Sequence, residues 1–165
     1  MTPNRKLEIQ AAAQPIIQYY MDDGLVDWSA VAEEYKIKHY HDSRFFVPMA
    51  ITYRSRQYVL TTPLKAATFG INHIAHEFGH VILGHLEQTV RSQLTEDQRE
   101  EEADKFSHLI FGGKVKDDYA PWWREKIAQA QSPLAALSCN NNTRWNEYCI
   151  DFIKEKIKKE KELIK

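Results

Sequence analysis

The sequence predicts an α+β fold in which a small β-sheet packs on an active-site helix, with additional helices toward the C-terminus. Three observations predict it. Residues 37–62 are rich in β-branched and aromatic side chains. The stretch from Leu64 to Glu87 carries apolar residues over more than one stripe, the pattern of a helix buried on most sides. Helical periodicity with start and stop signals returns on either side of these two blocks.

The elements follow in order. Thr2-Pro3 pairs a hydroxyl cap with a proline suited to the first helical position. Leu7, Ile9, Ala12, Ala13, Ile16, Ile17 and Tyr20 continue a helical stripe that Pro15 is expected to kink or split. Asp22-Asp23-Gly24 ends it, and Asp27 caps a short second helix through Trp28, Val31, Ala32 and Tyr35. Two or three strands follow, at least two joined as a hairpin around Arg54-Ser55-Arg56. Pro48 assigns its strand to an edge or a bulge, because proline cannot donate to a ladder. The central helix runs from Pro63 or Leu64 to about Glu87. Thr95-Glu96-Asp97-Gln98 is a capping box that opens a helix to about Phe111, stopped by Gly112-Gly113. Further helices are expected after Pro121 and Ser132. Asn140-Asn141-Asn142 reads as a turn before a stripe of Trp145, Tyr148, Cys149, Phe152, Ile153 and Ile157.

Composition narrows the function. Among 165 residues, 43% are hydrophobic and 27% charged, with a formal net charge of -1, so no global basic field draws the chain to nucleic acid or an anionic membrane. No apolar run is long enough to span a bilayer, and Arg5 and Lys6 are followed by no apolar segment of the secretory kind. Two cysteines do not make a disulfide scaffold. These features predict a cytoplasmic protein with free thiols. The mixed-charge tail from Lys154 reads as a solvated helix end.

The chemistry is concentrated in His76-Glu77-Phe78-Gly79-His80. Four residues of α-helix turn by about 40° and rise about 6 Å, so both imidazoles leave one face. That spacing suits two ligands of a tetrahedral zinc ion, with Glu77 as the general base that activates water. Ionisable groups are costly in an apolar helix, and a metal supplies the reason for these three. Gly79 costs about 1 kcal/mol relative to alanine in a helix, which predicts a close backbone approach by another element.

A catalytic zinc site needs a third protein ligand. If the helix continues, His85 points about 180° from His76, which makes it a surface or helix-end histidine. The acids of Glu100-Glu101-Glu102-Ala103-Asp104 come next. Glu101 shares a polar face with Lys105 and His108. Glu100 and Asp104 share a face flanked by the small residues Ala103 and Ser107, which suits a ligand glutamate with an aspartate holding a ligand histidine from behind. Glu102 falls nearer the bulky side with Phe106 and Leu109. The residues favour Glu100 over Glu102 and leave both open.

Taken together, His76-Glu77-Phe78-Gly79-His80 and Glu100-Glu101-Glu102-Ala103-Asp104-Lys105-Phe106 resemble the ImmA/IrrE family of bacterial and phage metallopeptidases, over roughly residues 28–111. The family's Met-Pro ending after the second motif is replaced here by Phe111-Gly112. The resemblance aligns Glu100 with the third zinc ligand. It implies a zincin-like fold and has no counterpart for residues 112–165; the metallopeptidase core is expected over residues 1–111, with 112–165 as a helical extension packed on it. It also implies a selective cytoplasmic protease with zinc as cofactor, acting as an antirepressor on a helix-turn-helix transcriptional repressor encoded nearby on a phage or mobile element. His73, Tyr53, His108 and Tyr119 are candidates for stabilising the oxyanion, His73 and Tyr53 foremost. Two other classes stand beside the endopeptidase. A binding module of the same fold would sequester a repressor or toxin without needing Glu77. A structural zinc protein would need a fourth ligand, for which no residue has good spacing.

Overall fold

The computed structural model describes residues 1–42, 44, 45, 48–61, 71–112 and 142–164. The chain divides into two compact units, Met1–Ala120 and Pro121–Lys165.

The first unit is a mixed α+β structure. Helix α1 spans Pro3–Tyr19, and the Thr2 side chain accepts from the Arg5 N–H at its start. It runs as one helix through Pro15, so of the expected kink or split the split does not occur. An interior proline costs about 3 kcal/mol. Burial of a large aliphatic side chain returns about 1.5–3 kcal/mol. Ile9 and Ile16 lie fully buried on either side of Pro15, so packing offsets the defect.

A two-residue antiparallel pair, β1 (Met21–Asp22) and β2 (Leu25–Val26), turns at Asp23-Gly24. Helix α2 (Trp28–Glu34) follows, with Asp27 accepting from the Ala30 N–H as expected. The main sheet has order β3-β5-β4, from β3 (Lys38–His41), β4 (Met49–Tyr53) and β5 (Arg56–Thr61). Strand β5 is parallel to β3 and antiparallel to β4. Its central place explains why Tyr58, Val59, Leu60 and Thr61 are all buried in a run rather than alternating. Pro48 precedes an edge strand, as a proline should.

Helix α3 (Ile71–Ile82) carries the histidine motif. A short α4 (Gln88–Gln93) follows, then α5 (Glu96–Phe111), whose capping box joins Thr95 and Gln98 reciprocally. Helix α3 packs with both β4 and β5 and with α5, and α1 packs with α5. Ile9, Ile16, Trp28, Val31, Val59, Ile74, Phe78, Val81, Phe106 and Ile110 are core members drawn from these elements. Phe78 stacks on Trp28 at 4.6 Å between ring centroids, which fixes the rotation of α3 about its axis. The other face of α3 is thereby left for α5.

In the second unit, α6 (Asn142–Ile164) is described. Cys149, Phe152 and Ile153 are its buried residues, matching the expected stripe, and burial pushes the free Cys149 thiol up to about 12. The expected helices after Pro121 and Ser132, and Cys139, lie outside the described residues. No described helix is long and apolar enough to cross a membrane.

Candidate metal centre

Helices α3 and α5 meet at a glycine. A Cβ built on Gly79 would lie 2.9 Å from Cδ1 of Phe106, a fully buried ring. Gly79 therefore answers to an aromatic side chain on α5, where the sequence suggested a backbone approach. The contact sets the two helices close enough for short side chains to meet beside it.

Three of them converge. His76 Nε2 lies 3.0 Å from His80 Nε2 and 3.1 Å from Glu100 Oε2, and His80 Nε2 lies 3.3 Å from Glu100 Oε1. These are the ligand-type residues whose donor atoms gather in one place among those described. Behind them, Asp104 Oδ1 stands 2.8 Å from His76 Nδ1, the ring nitrogen that faces away from the cluster. His76 Nδ1 has no partner of hydrogen-bond geometry, so this contact is a charge pair at an unfavourable angle. Burial works against the charged form of His76, but Asp104 and Glu100 outweigh it and raise the imidazole to about 10. His76 and His80 in turn hold Glu100 well below the usual carboxylate range, against its partial burial. The acids around His76 thus create a potential that favours positive charge.

Glu77 projects toward the sheet. Its Oε2 accepts from the Ala50 N–H of edge strand β4 at 2.7 Å. Burial raises its carboxyl above the usual range, only partly countered by His76, His80 and the Ala50 N–H. A carboxylate with elevated proton affinity suits a group that must take and hold a proton.

The donor set fits zinc. Two imidazole nitrogens and a carboxylate oxygen are ordinary zinc ligands, and a tetrahedron with bonds of 2.0–2.1 Å has edges of roughly 3.3 Å. The observed separations of 3.0, 3.1 and 3.3 Å lie at or just inside that edge.

No family model, curated protein or solved structure matches this chain.

His85 requires a correction. It is a buried residue, not a surface one, and its Nδ1 lies 3.0 Å from His80 Nδ1. The expectation assumed a helix to Glu87, whereas α3 ends at Ile82. The His85 N–H donates to the His80 carbonyl and the Gly84 N–H to the Val81 carbonyl, with Gly84 at φ 75°. This is a Schellman ending, and its geometry turns the residue after the glycine back onto the residue five before it. Gly84, four residues beyond His80, was the signal that could have found the contact.

His85 Nε2 reaches Glu102 Oε2 at 2.9 Å, and Arg5 clamps Glu102 through Nε at 2.9 Å and Nη2 at 2.7 Å. Glu102 is therefore buried, turned away from solvent-facing Glu101 and outside the cluster of His76, His80 and Glu100. Burial, aided by the nearby His80 and Arg5, pushes the His85 imidazole down to about 4, with Glu102 pulling the other way.

The remaining candidates separate. His73 is half-buried on α3, and Tyr53 stands three residues beyond Ala50 on β4, about 10 Å by strand rise, with the Arg54 guanidinium 5.3 Å from its ring centre. Neither belongs to the three-residue cluster. His108 is exposed on α5, and Tyr119 lies outside the described residues.

Proposed function

We propose that this chain is a zinc-dependent, site-specific endopeptidase with a zincin-like fold. The observation that carries the proposal is the convergence of His76, His80 and Glu100 beside Glu77, a half-buried carboxylate held by the Ala50 N–H. His76 and His80 would hold the ion through Nε2, and Glu100 through a carboxylate oxygen. A zinc ion bound there supplies Lewis acidity to a water molecule and to a peptide carbonyl. Glu77, fixed by the Ala50 N–H, takes the proton of the attacking water and delivers it to the leaving amine. Asp104 stands behind His76 and limits its ring rotation.

The resemblance to the ImmA/IrrE family extends the proposal to substrate and setting: a helix-turn-helix repressor as the protein substrate, in the cytoplasm, with cleavage relieving repression. A pure binding module would have no use for a half-buried carboxylate fixed beside the cluster by the Ala50 N–H, which favours the enzyme.

The test is Glu77→Gln. The variant is expected to keep about one zinc per chain and to keep binding a repressor substrate, while cleavage, read by mass spectrometry of the products, is lost. Unchanged cleavage would refute Glu77 as the base. A wild type that binds the repressor and never cuts it would transfer the proposal to the sequestering module.

A further inference from the structure

Zinc ligation uses one nitrogen of each imidazole, and the partner of the other nitrogen decides which one is free. His76 has Asp104 behind it. What stands behind His80 is a chain of side chains from three separate elements: His85 after α3, Glu102 on α5 and Arg5 on α1.

We propose that His85 and Glu102, anchored by Arg5, are positioning residues that keep His80 protonated on Nδ1 and present its Nε2 lone pair to the cation site. The inference rests on the metal reading above and adds residues that reading does not use.

The hydrogen bonds run in one direction. Arg5 has only donors, and it donates two N–H groups to the two oxygens of Glu102. An ionised Glu102 accepts only, so His85 Nε2 must be the N–H that donates to its Oε2. In a neutral imidazole the second nitrogen is then bare, so His85 Nδ1 accepts. The group 3.0 Å from it, His80 Nδ1, must be the donor. His80 Nε2 is left with its lone pair, which can accept from a His76 Nε2–H but also faces a Glu100 oxygen at 3.3 Å, an acceptor pair that a bound cation would relieve. Reversing any one bond sets two donors or two acceptors against each other in a buried place, where an unmade bond costs about 1–3 kcal/mol. A free imidazole in water prefers the opposite tautomer, with its proton on Nε2. The chain thus prepares His80 before an ion arrives.

Burial supports a dedicated role. His85 is 2% exposed and Glu102 3% exposed, so neither bond competes with water. The Gly84 ending of α3 aims His85, and the Arg5 clamp stops Glu102 from turning toward the cation site.

The experiment uses the full chain, labelled with 15N and stripped of metal. Long-range proton–nitrogen correlation reads the tautomer of each histidine. Wild type, His85→Leu and His85→Gln are compared, and each is titrated with zinc against a chelator. Glutamine can accept from His80 with its carbonyl and donate to Glu102 with its amide. Wild type is expected to show His80 as Nδ1–H. His85→Leu should shift it toward Nε2–H and weaken zinc binding by about 10–100-fold, and His85→Gln should restore most of both. An Nε2–H tautomer at His80 in the wild type overturns the proposal, even if His85→Leu fails to fold. So does an Nδ1–H tautomer with unchanged zinc affinity in His85→Leu. If the wild type shows Nδ1–H and binds no zinc, the relay stands and the metal reading falls.

Discussion

Gly79→Ala tests the closest approach in the core. An added Cβ would meet Phe106 at 2.9 Å from Cδ1, 3.3 Å from Cγ and 3.4 Å from Cβ. The Cβ contact is ordinary, and Cγ and Cδ1 can move away only by turning a buried ring about χ1 into its core neighbours. Phe106 is fully buried, and its ring has no open space to enter. Relief must come from moving α3 and α5 apart. Alanine gains about 1 kcal/mol over glycine in a helix interior. Overpacking a core costs about 1–3 kcal/mol. The balance predicts a net loss of about 1 kcal/mol, read from urea unfolding midpoints at constant slope. The same separation lengthens the 3.1 Å gap between His76 Nε2 and Glu100 Oε2, so zinc affinity should fall with stability. Phe106→Leu in the same chain should recover part of both, giving a coupling energy of about 0.5–3 kcal/mol for two residues in contact. A Gly79→Ala chain that gains the full helical increment and binds zinc as before would refute the argument, because it would mean that the two helices are not held at this distance.

Four further outcomes follow from the same geometry. Glu100→Ala should lose zinc, measured as metal content, with little change in unfolding, because its side chain is 41% exposed; Glu102→Ala should cost about 3 kcal/mol, because it leaves Arg5 and His85 without their buried partner. His39 is held at about 3 by burial, with His41 adding to the effect, and an unfolded imidazole titrates near 6.5, so the unfolded chain binds the extra proton between these values. Its contribution is complete above about pH 6.5 and is lost as pH falls toward 3, at up to about 1.4 kcal/mol per pH unit, so wild type should lose more stability than His39→Gln between pH 7 and pH 5. Ser55→Gly should stabilise the chain by about 0.5–1 kcal/mol in thermal unfolding, because Ser55 stands at φ 61° in the two-residue turn between β4 and β5, where a side chain is strained.

The parts that were legible in the sequence are those set by chemistry within a few residues. Thr2, Asp27 and the Thr95–Gln98 pair all cap helices where a side-chain oxygen precedes free N–H groups. Pro48 could only precede an edge strand. The four-residue spacings of His76 with His80 and of Glu100 with Asp104 follow from helical pitch alone. Helix α4 was missed because it buries none of its residues and so leaves no periodic trace. Pro15 did not split α1, because the packing on both sides of it overrides the local rule. His85 was misplaced by extending a helix through Gly84, a residue whose left-handed conformation ends it.

The choice between Glu100 and Glu102 shows where sequence reasoning stops and what takes over. Consecutive helical residues turn by about 100°, so Glu100, Glu101 and Glu102 must enter three different environments. Helical pitch separates them and cannot say which environment holds a cation site. Partners decide that, and the partners are remote: Arg5 lies on α1 and His85 beyond the end of α3. Both oxygens of Glu102 already accept from the Arg5 guanidinium, and Oε2 also faces His85, so no oxygen remains to turn toward His76 and His80. Both oxygens of Glu100 face only those two imidazoles. Glu101 is exposed and has no side chain of the cluster within reach of its solvated face. Accounting for each carboxylate oxygen thus leaves Glu100 as the one that faces both imidazoles, whereas Glu102, buried on the apolar side of α5, stays charged through an arginine supplied from elsewhere in the chain.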